Sequence, residues 1–381
     1  MNTKQMTRLA AIAAMLFVSL SFVARSAYLD DDSGTPGPRE IARPEHGPGP
    51  ILPPRGDDPL HRLVRHIEVG RPYSYGRLTV FPLALRNRGN APDIRTLDEA
   101  LSHGWITIRE QEHAQVSEVV VRNESVHPVF LMAGEILGGG RQDRIIRSDV
   151  LVRPGQDPVS VPVYCVEQDR WKGTRESFDR APYLAGQTMR NLAARAAPQD
   201  AIWTEIDHQL KQSGVSAPTR SYQSLYSDRD TGRRIDMMVE RFRDLRTGST
   251  VGLVIVDPGR GVSGDVFGDP DICARLWDKI VRSHAADVVL EDHGRGGEDI
   301  RMEPSPVAAR RFLEELSSAE QVRETTPGAG ESIALRGRVA GHMLVWNGDL
   351  VHVATFGPDD VHPLPPEPRP MPMPGPRPWW R

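Results

Sequence analysis

The chain of 381 residues has two cysteines, four lysines and few aromatic residues. Two cysteines exclude the dense disulfide framework of small secreted scaffolds. Cys165 and Cys273 either form a single bridge or serve as small core residues; for Cys273 the core reading places it on the apolar side of a helix. No Gly-x-Ser-x-Gly elbow and no His-Glu-x-x-His helix is present, which removes the motif-bearing serine hydrolases and zinc peptidases. A surplus of positive charge is also missing. The formal charge is −4, so the chain has no electrostatic reason to bind nucleic acid. Beyond the N-terminus there is no apolar run of about 20 residues, the length needed to span a bilayer.

What the N-terminus does carry reads as an export signal. Lys4 and Arg8 precede an apolar run from Leu9 to Val23, and Ala24-Arg25-Ser26 places small residues at a cleavage site. Cleavage before Ala27 removes three positive charges and takes the formal charge from −4 to −7. The expectation is a periplasmic or secreted protein, with membrane contact only if residues 1–26 remain as an uncleaved anchor. Residues 27–59 are rich in Pro and Gly and read as a disordered tether. Residues 358–381 end in a proline-rich stretch closed by Trp379 and Trp380. They read as a disordered tail or as a docking segment for a protein partner.

Between these tails, residues 60–357 are long enough for one sizeable core and read as a single α+β domain. Residues 60–175 have strand patterning: Leu78 to Leu85, Trp105 to Glu110, Val116 to Asn123, Val129 to Met132, Ile145 to Val152 and Val159 to Glu167. Thr96-Leu97-Asp98-Glu99 has the spacing of a capping box and starts a short helix that ends near Ser102. Strands this closely spaced predict an antiparallel β-sandwich or partly open barrel. Residues 176–247 read as helical: Gln187 to Ala196, Ala201 to Gln212, and a stripe of Ile235, Met238, Val239, Phe242 and Leu245. Residues 248–357 mix both classes. Thr250 to Val256 is a strand, Asp269-Pro270 and Ser305-Pro306 open helices, and Ser332 to Val339, His342 to Trp346 and Leu350 to Phe356 close the domain. Asn347-Gly348-Asp349 is a hairpin turn.

Two segments interrupt this patterning with glycines and charges. One runs from Gly134 to Arg144, the other from Cys165 to Trp171. From about Leu78 to Trp171 the chain resembles the ARG and rhodanese-phosphatase-superfamily-associated protein domain family, a domain of unknown function. The residues that carry the resemblance are Thr96 to Leu101, Gly134-Glu135, Gly138, Gln142-Asp143-Arg144, Val163 to Glu167 and Arg170-Trp171, with Leu350 to Phe356 similar to a closing strand. The resemblance implies, by genomic association, a link to ADP-ribose-like nucleotides.

In chemical terms, Gly138, Gly139 and Gly140 free backbone N–H groups for an anion, and Arg141 and Arg144 add bidentate donors. The same glycines also suit a bulged turn whose arginines face water. Glu135 and Glu167 are the candidate general bases. Gly138, Gly139, Arg141, Gln142, Arg144, Arg170 and Trp171 are the candidate ligand contacts, with Trp171 able to stack on a planar ring. Both segments are expected to meet in space. Cys165 is a nucleophile only if a base such as His342 or His352 reaches it. Glu291-Asp292-His293 with Glu298-Asp299, and Asp257, Asp265, Asp269 and Asp271, lack zinc or calcium spacing, so no metal site is expected. The sequence specifies no cofactor. The functional expectation is recognition of a small anionic, nucleotide- or sugar-derived ligand, with hydrolysis as its enzymatic form. The alternative is a non-catalytic envelope scaffold or interaction protein acting through its tail.

Overall fold

A computed structural model describes residues 51–52, 58–87, 93–111, 117–170, 176–292 and 306–357. Its architecture is α+β, with three sheets among the described residues. The expected folded-over antiparallel sheet is a closed six-stranded barrel. Around it run Arg144–Ile146, Val159–Cys165, Glu118–Asn123, Ile106–Glu110, Ser177–Leu184 and Glu135–Gly139, each antiparallel to its neighbours. Alternation makes the barrel. Ile106, Ile108, Val119, Val121, Val161 and Val163 point into one apolar cluster, which closure of the sheet seals from water.

The second sheet is larger and wholly antiparallel. Its order is Ile51–Leu52, Glu320–Glu324, Glu331–Arg336, Ala340–Trp346, Asp349–Phe356, Gly261–Phe267, Thr250–Asp257, Leu78–Leu85 and Ile67–Val69, with Tyr73–Tyr75 also on Leu78–Leu85. All eight residues of Thr250–Asp257 are buried, because helices cover both faces of the sheet's centre. Helix Pro270–Asp292 lies on one face and helices Pro59–Arg65 and Pro306–Ser317 on the other. Asn347 and Gly348 both take positive φ (53° and 83°), the geometry of the hairpin turn read from Asn-Gly-Asp. A small third sheet, Val150–Val152, Val129–Leu131 and Arg95–Thr96, joins the other two. Ile136, Ile145 and Tyr164 of the barrel share one core with Leu253, Ile255 and Trp277, so barrel and large sheet are packed together.

Helix Leu97–Ser102 forms as its capping box dictates: Thr96 Oγ1 accepts from the Glu99 N–H, and the Glu99 carboxylate accepts from the Thr96 N–H. Several expectations need correction. Ile145 to Val152 is two strands, not one: Arg144–Ile146 stays in the barrel, and Val150–Val152 crosses to the small sheet. The break falls where Asp149 turns to bond the Ala133 N–H and His352. Gly138 and Gly139 end a strand opposite Arg180 and Phe178, with register shifts on the partner strand, and the chain turns at Gly140 into Arg144–Ile146, as the bulged-turn reading expected. That partner, Ser177–Leu184, lies in the region read as helical. Asp179, Arg180 and Pro182 obscure its alternation of buried and exposed residues. Gly261–Phe267 was also missed, its apolar pattern thinned by two glycines and Asp265. Ile51 and Leu52, within the stretch read as a tether, pair with Val322 and Gln321. The signal segment and the proline-rich tail lie outside the described residues. No described helix is long and apolar enough to cross a membrane.

Candidate functional site

The two polar segments meet. Arg170 donates through Nε to Glu167 Oε2 (2.7 Å), through its terminal nitrogens to Asp143 Oδ1 (3.0 Å), and to the carbonyls of Gly139 and Gly140. Glu167 also accepts from the Asp143 N–H (3.2 Å) and Thr219 Oγ1 (2.7 Å). Arg144, buried, bonds Gln142 Oε1 and both oxygens of Glu110, and Gln142 Nε2 donates to the Gln168 carbonyl. The glycine N–H groups are directed inward. Gly139 donates to Asp143 Oδ1, Gly140 to the Ser177 carbonyl and Arg141 to Glu110 Oε1. The anions held here are thus the protein's own carboxylates. Burial, reinforced by Glu167 nearby, raises the Asp143 pKa. Arg141 is half exposed and faces Glu176 at 3.7 Å. Trp171 lies outside the described residues.

Glu135 does not join this cluster. It begins the strand that Gly139 ends, four residues and about 13 Å away at the usual rise per residue. Its Oε2 accepts from the Met132 N–H (2.9 Å), and its Oε1 lies 2.6 Å from Lys279 Nζ. Lys279 also reaches Asp98 at 2.7 Å. Burial works against the lysine's charge, but these two carboxylates hold its pKa above the ordinary value. Glu135 therefore stands at one end of this strand, while Glu167, after strand Val159–Cys165, is linked through Arg170 to its other end at Gly139.

Cys165 and Cys273 are both free and buried, so no bridge forms. Burial pushes both thiols up, which disfavours a thiolate. Cys165 Sγ donates to Gln142 Oε1, whereas His352 is committed elsewhere. Among the described residues no group of three or more His, Cys, Asp or Glu is arranged to hold a metal ion. Of the aspartates considered for one, Asp257 pairs with Arg77, Asp265 with Arg190, and Asp269 accepts from the Asp271 N–H at the start of helix Pro270–Asp292. His293, Glu298 and Asp299 lie outside the described residues.

A different set of polar groups is concentrated where helices Gln187–Ala194 and Pro270–Asp292 meet strands Gly261–Phe267 and Asp349–Phe356. Its centre is Asp265, with no exposed surface. Arg190 grips it bidentately (3.1 and 2.5 Å), and the imidazoles of His352 (3.2 Å) and His284 (3.3 Å) complete its shell. Burial alone raises a carboxyl pKa, but these partners hold Asp265 well below its usual value. His352 also donates through Nδ1 to Asp149 (2.7 Å). Set between two carboxylates, it is raised to about 9 in spite of its burial, so it is an imidazolium at neutral pH. His284 Nε2 lies 2.8 Å from Gln187 Nε2 as well, so it either donates to Asp265 or accepts from the amide.

One turn further along the same helix is Asp287. Its Oδ2 accepts from the Thr188 N–H (3.1 Å) and from Arg260 (3.4 Å). Its Oδ1 is buried without a hydrogen-bond partner among the described residues. Arg260 bonds Thr188 Oγ1 and Glu291, and Arg77 bonds Glu291 and Asp257 (3.1 Å). These residues form a partly exposed rim above a buried floor: side-chain exposure is 16% for Arg260 and 30% for Glu291, against 2% for Asp287. Across rim and floor there are five carboxyl groups, Asp149, Asp257, Asp265, Asp287 and Glu291. Facing them are Arg77, Arg190, Arg260, His284 and His352. Burial raises the pKa of Asp287 despite the opposing pull of Arg260, its ion-pair partner at 3.4 Å. Two glycines make room for the arrangement. Gly134 (φ 95°) lies over the Arg190 stem, where a Cβ would come within 2.6 Å of Cγ, and a Cβ on Gly186 would overlap Asp287 Oδ1. Buried Gln187 Oε1, Arg190 Nε and Asn191 Nδ2 also lack partners, so unsatisfied groups gather along helix Gln187–Ala194.

Sequence reasoning named His352 and Asp265 in other roles and did not find Asp149, Arg190, His284 or Asp287. A signal was present. The apolar face Ile272, Leu276 and Ile280 continues at helical spacing into Ser283, His284, Asp287 and Glu291, and polar residues that prolong a buried stripe must have buried partners.

No curated protein and no solved structure matches the chain. A family model does, over residues 66–356, a span that includes the barrel, the large sheet apart from Ile51–Leu52, and every member of the buried network. The chain therefore belongs to the ARG and rhodanese-phosphatase-superfamily-associated protein domain family.

Proposed function

We propose that this protein binds a small anionic, nucleotide- or sugar-derived ligand at the Arg77–Arg260 rim and hydrolyses it, with Asp287 as general acid. The observation that carries this reading is the carboxyl of Asp287, buried below the rim with one oxygen anchored and the other without a partner among the described residues. A carboxyl group whose pKa is raised by burial holds its proton more readily and can donate it to a leaving oxygen, as a general acid must. Arg260 is placed to exchange Glu291 for a ligand oxyanion, and Thr188 Oγ1 lies 2.5 Å from its Nη1. The family's name associates it with rhodanese-phosphatase proteins, which suits a phosphorylated or sulfurylated ligand. Export to the periplasm or medium remains part of the proposal, on the strength of the N-terminal signal pattern.

The cluster of Glu167, Asp143, Arg170, Arg144 and Glu110 supports a bracing role better, because its arginines and glycine N–H groups are engaged by protein acceptors. The test is turnover of a panel of sugar phosphates and nucleotides, ADP-ribose included. Asp287→Asn should fold, retain ligand-induced thermal stabilisation and lose turnover by about 100-fold or more. Arg144→Ala with retained turnover is expected as well. Full turnover in Asp287→Asn would contradict the assignment.

A further inference from the structure

The proline-rich C-terminus has no part in the chemistry above, and the register of the large sheet says where it starts. Thr355 is opposite Gly264, Gly264 opposite Val254, and Val254 opposite Phe81. One residue further along, Ser263, Ile255, Val80 and Tyr73 form the next row, which Phe356 enters on the other side. The chain thus leaves its last strand at the same end of the sheet as Tyr73–Tyr75, four strand spacings or about 19 Å away. Residues 358–364, extended as a polyproline helix, cover about 22 Å. That reach is enough for Leu364-Pro365-Pro366 to meet the tyrosines.

The surface at that point has the chemistry of a proline receptor. Among the described residues Tyr73–Tyr75 is an edge strand, paired only with Leu78–Leu85. Tyr73 is 38% exposed, and its ring stands edge-on to Phe242 at 5.8 Å. Tyr75 packs edge-on against the same phenyl ring, and the Arg241 guanidinium lies 5.4 Å from its centroid. Met237, one helical turn before Arg241, is 46% exposed. Polyproline segments dock on aromatic surfaces of this kind because little conformational entropy is lost on binding. We propose that residues 364–366 of the C-terminal segment dock in cis on the Tyr73–Tyr75 edge.

The test needs no ligand, so its outcome is independent of the proposed activity. In the full chain, Ser74→Cys and Leu364→Cys form a reporter pair; both native cysteines are buried. Rapid disulfide formation within one chain is expected. It should slow by about tenfold in Tyr73→Ala and in Pro365→Ala/Pro366→Ala, the scale of a lost aromatic contact. The proline variant changes none of the described residues and decides the matter even if Tyr73→Ala is unstable. Rates unchanged by both variants would show that tethering alone brings the cysteines together and would overturn the proposal. So would disulfides between chains when isotopically distinct copies are mixed, which would assign the edge to a second copy.

Discussion

His352 contributes stability only while it is charged. Its folded pKa of about 9 lies above the ordinary value near 6.5, so the imidazolium binds its proton more tightly in the folded chain. The resulting stabilisation is fully present below about pH 6.5 and is lost as pH rises to about 9, with a ceiling on the order of 3 kcal/mol. Urea unfolding at pH 6 and pH 9.5 should show this loss in the native chain and a flatter profile in His352→Gln. An equal slope in both would mean that His352 is not the titrating group. Arg144 poses a similar question at the barrel wall. Arg144→Ala strands the Glu110 carboxylate, which is only 9% exposed, and should destabilise by about 3 kcal/mol, whereas joint replacement of both residues by apolar ones should cost much less. A double-mutant cycle in urea separates the two effects.

At the scale of elements, local chemistry decided what the sequence could reveal. Helix Leu97–Ser102 was legible because its capping box satisfies both end groups within four residues. Thr96→Ala should therefore cost about 1 kcal/mol, read as a lower unfolding midpoint with no change in fold. Leu78–Leu85 and the Asn347-Gly348 hairpin were legible for the same reason, since periodicity and turn residues are local. Ser177–Leu184 was not, because its strand character comes from the barrel neighbours on either side. The convergence of Asp143 and Glu167 could be anticipated from the polarity of both segments, but the separation of Glu135 from them could not: it depends on the direction of one strand. His284 and Asp287 were hidden by distance, since their partners lie on a helix some hundred residues earlier in the chain. Gly186→Ala tests that packing. Its Cβ would collide with Asp287, so the variant should destabilise and disturb the site together, while Gly214→Ala, with open space around it, should leave the site intact.

Over the whole molecule, one apolar core runs from the barrel into the large sheet, and the buried network bridges them: Asp149 comes from the barrel side, His352 and Asp265 from the sheet, and Arg190, His284 and Asp287 from the helices between. A shared core and shared ion pairs couple the parts, so residues 60–357 should unfold in one calorimetric transition, and two resolved transitions would separate barrel from sheet. The proposed hydrolysis depends most on the Asp287 carboxyl, whose pKa burial raises. The most direct measurement is the carbon-13 carboxyl shift of Asp287 followed against pH and assigned by its loss in Asp287→Asn. A midpoint clearly above the ordinary aspartate value near 3.9 is predicted. A midpoint at or below that value would show that Arg260 compensates Asp287 fully and would remove the proposed general acid.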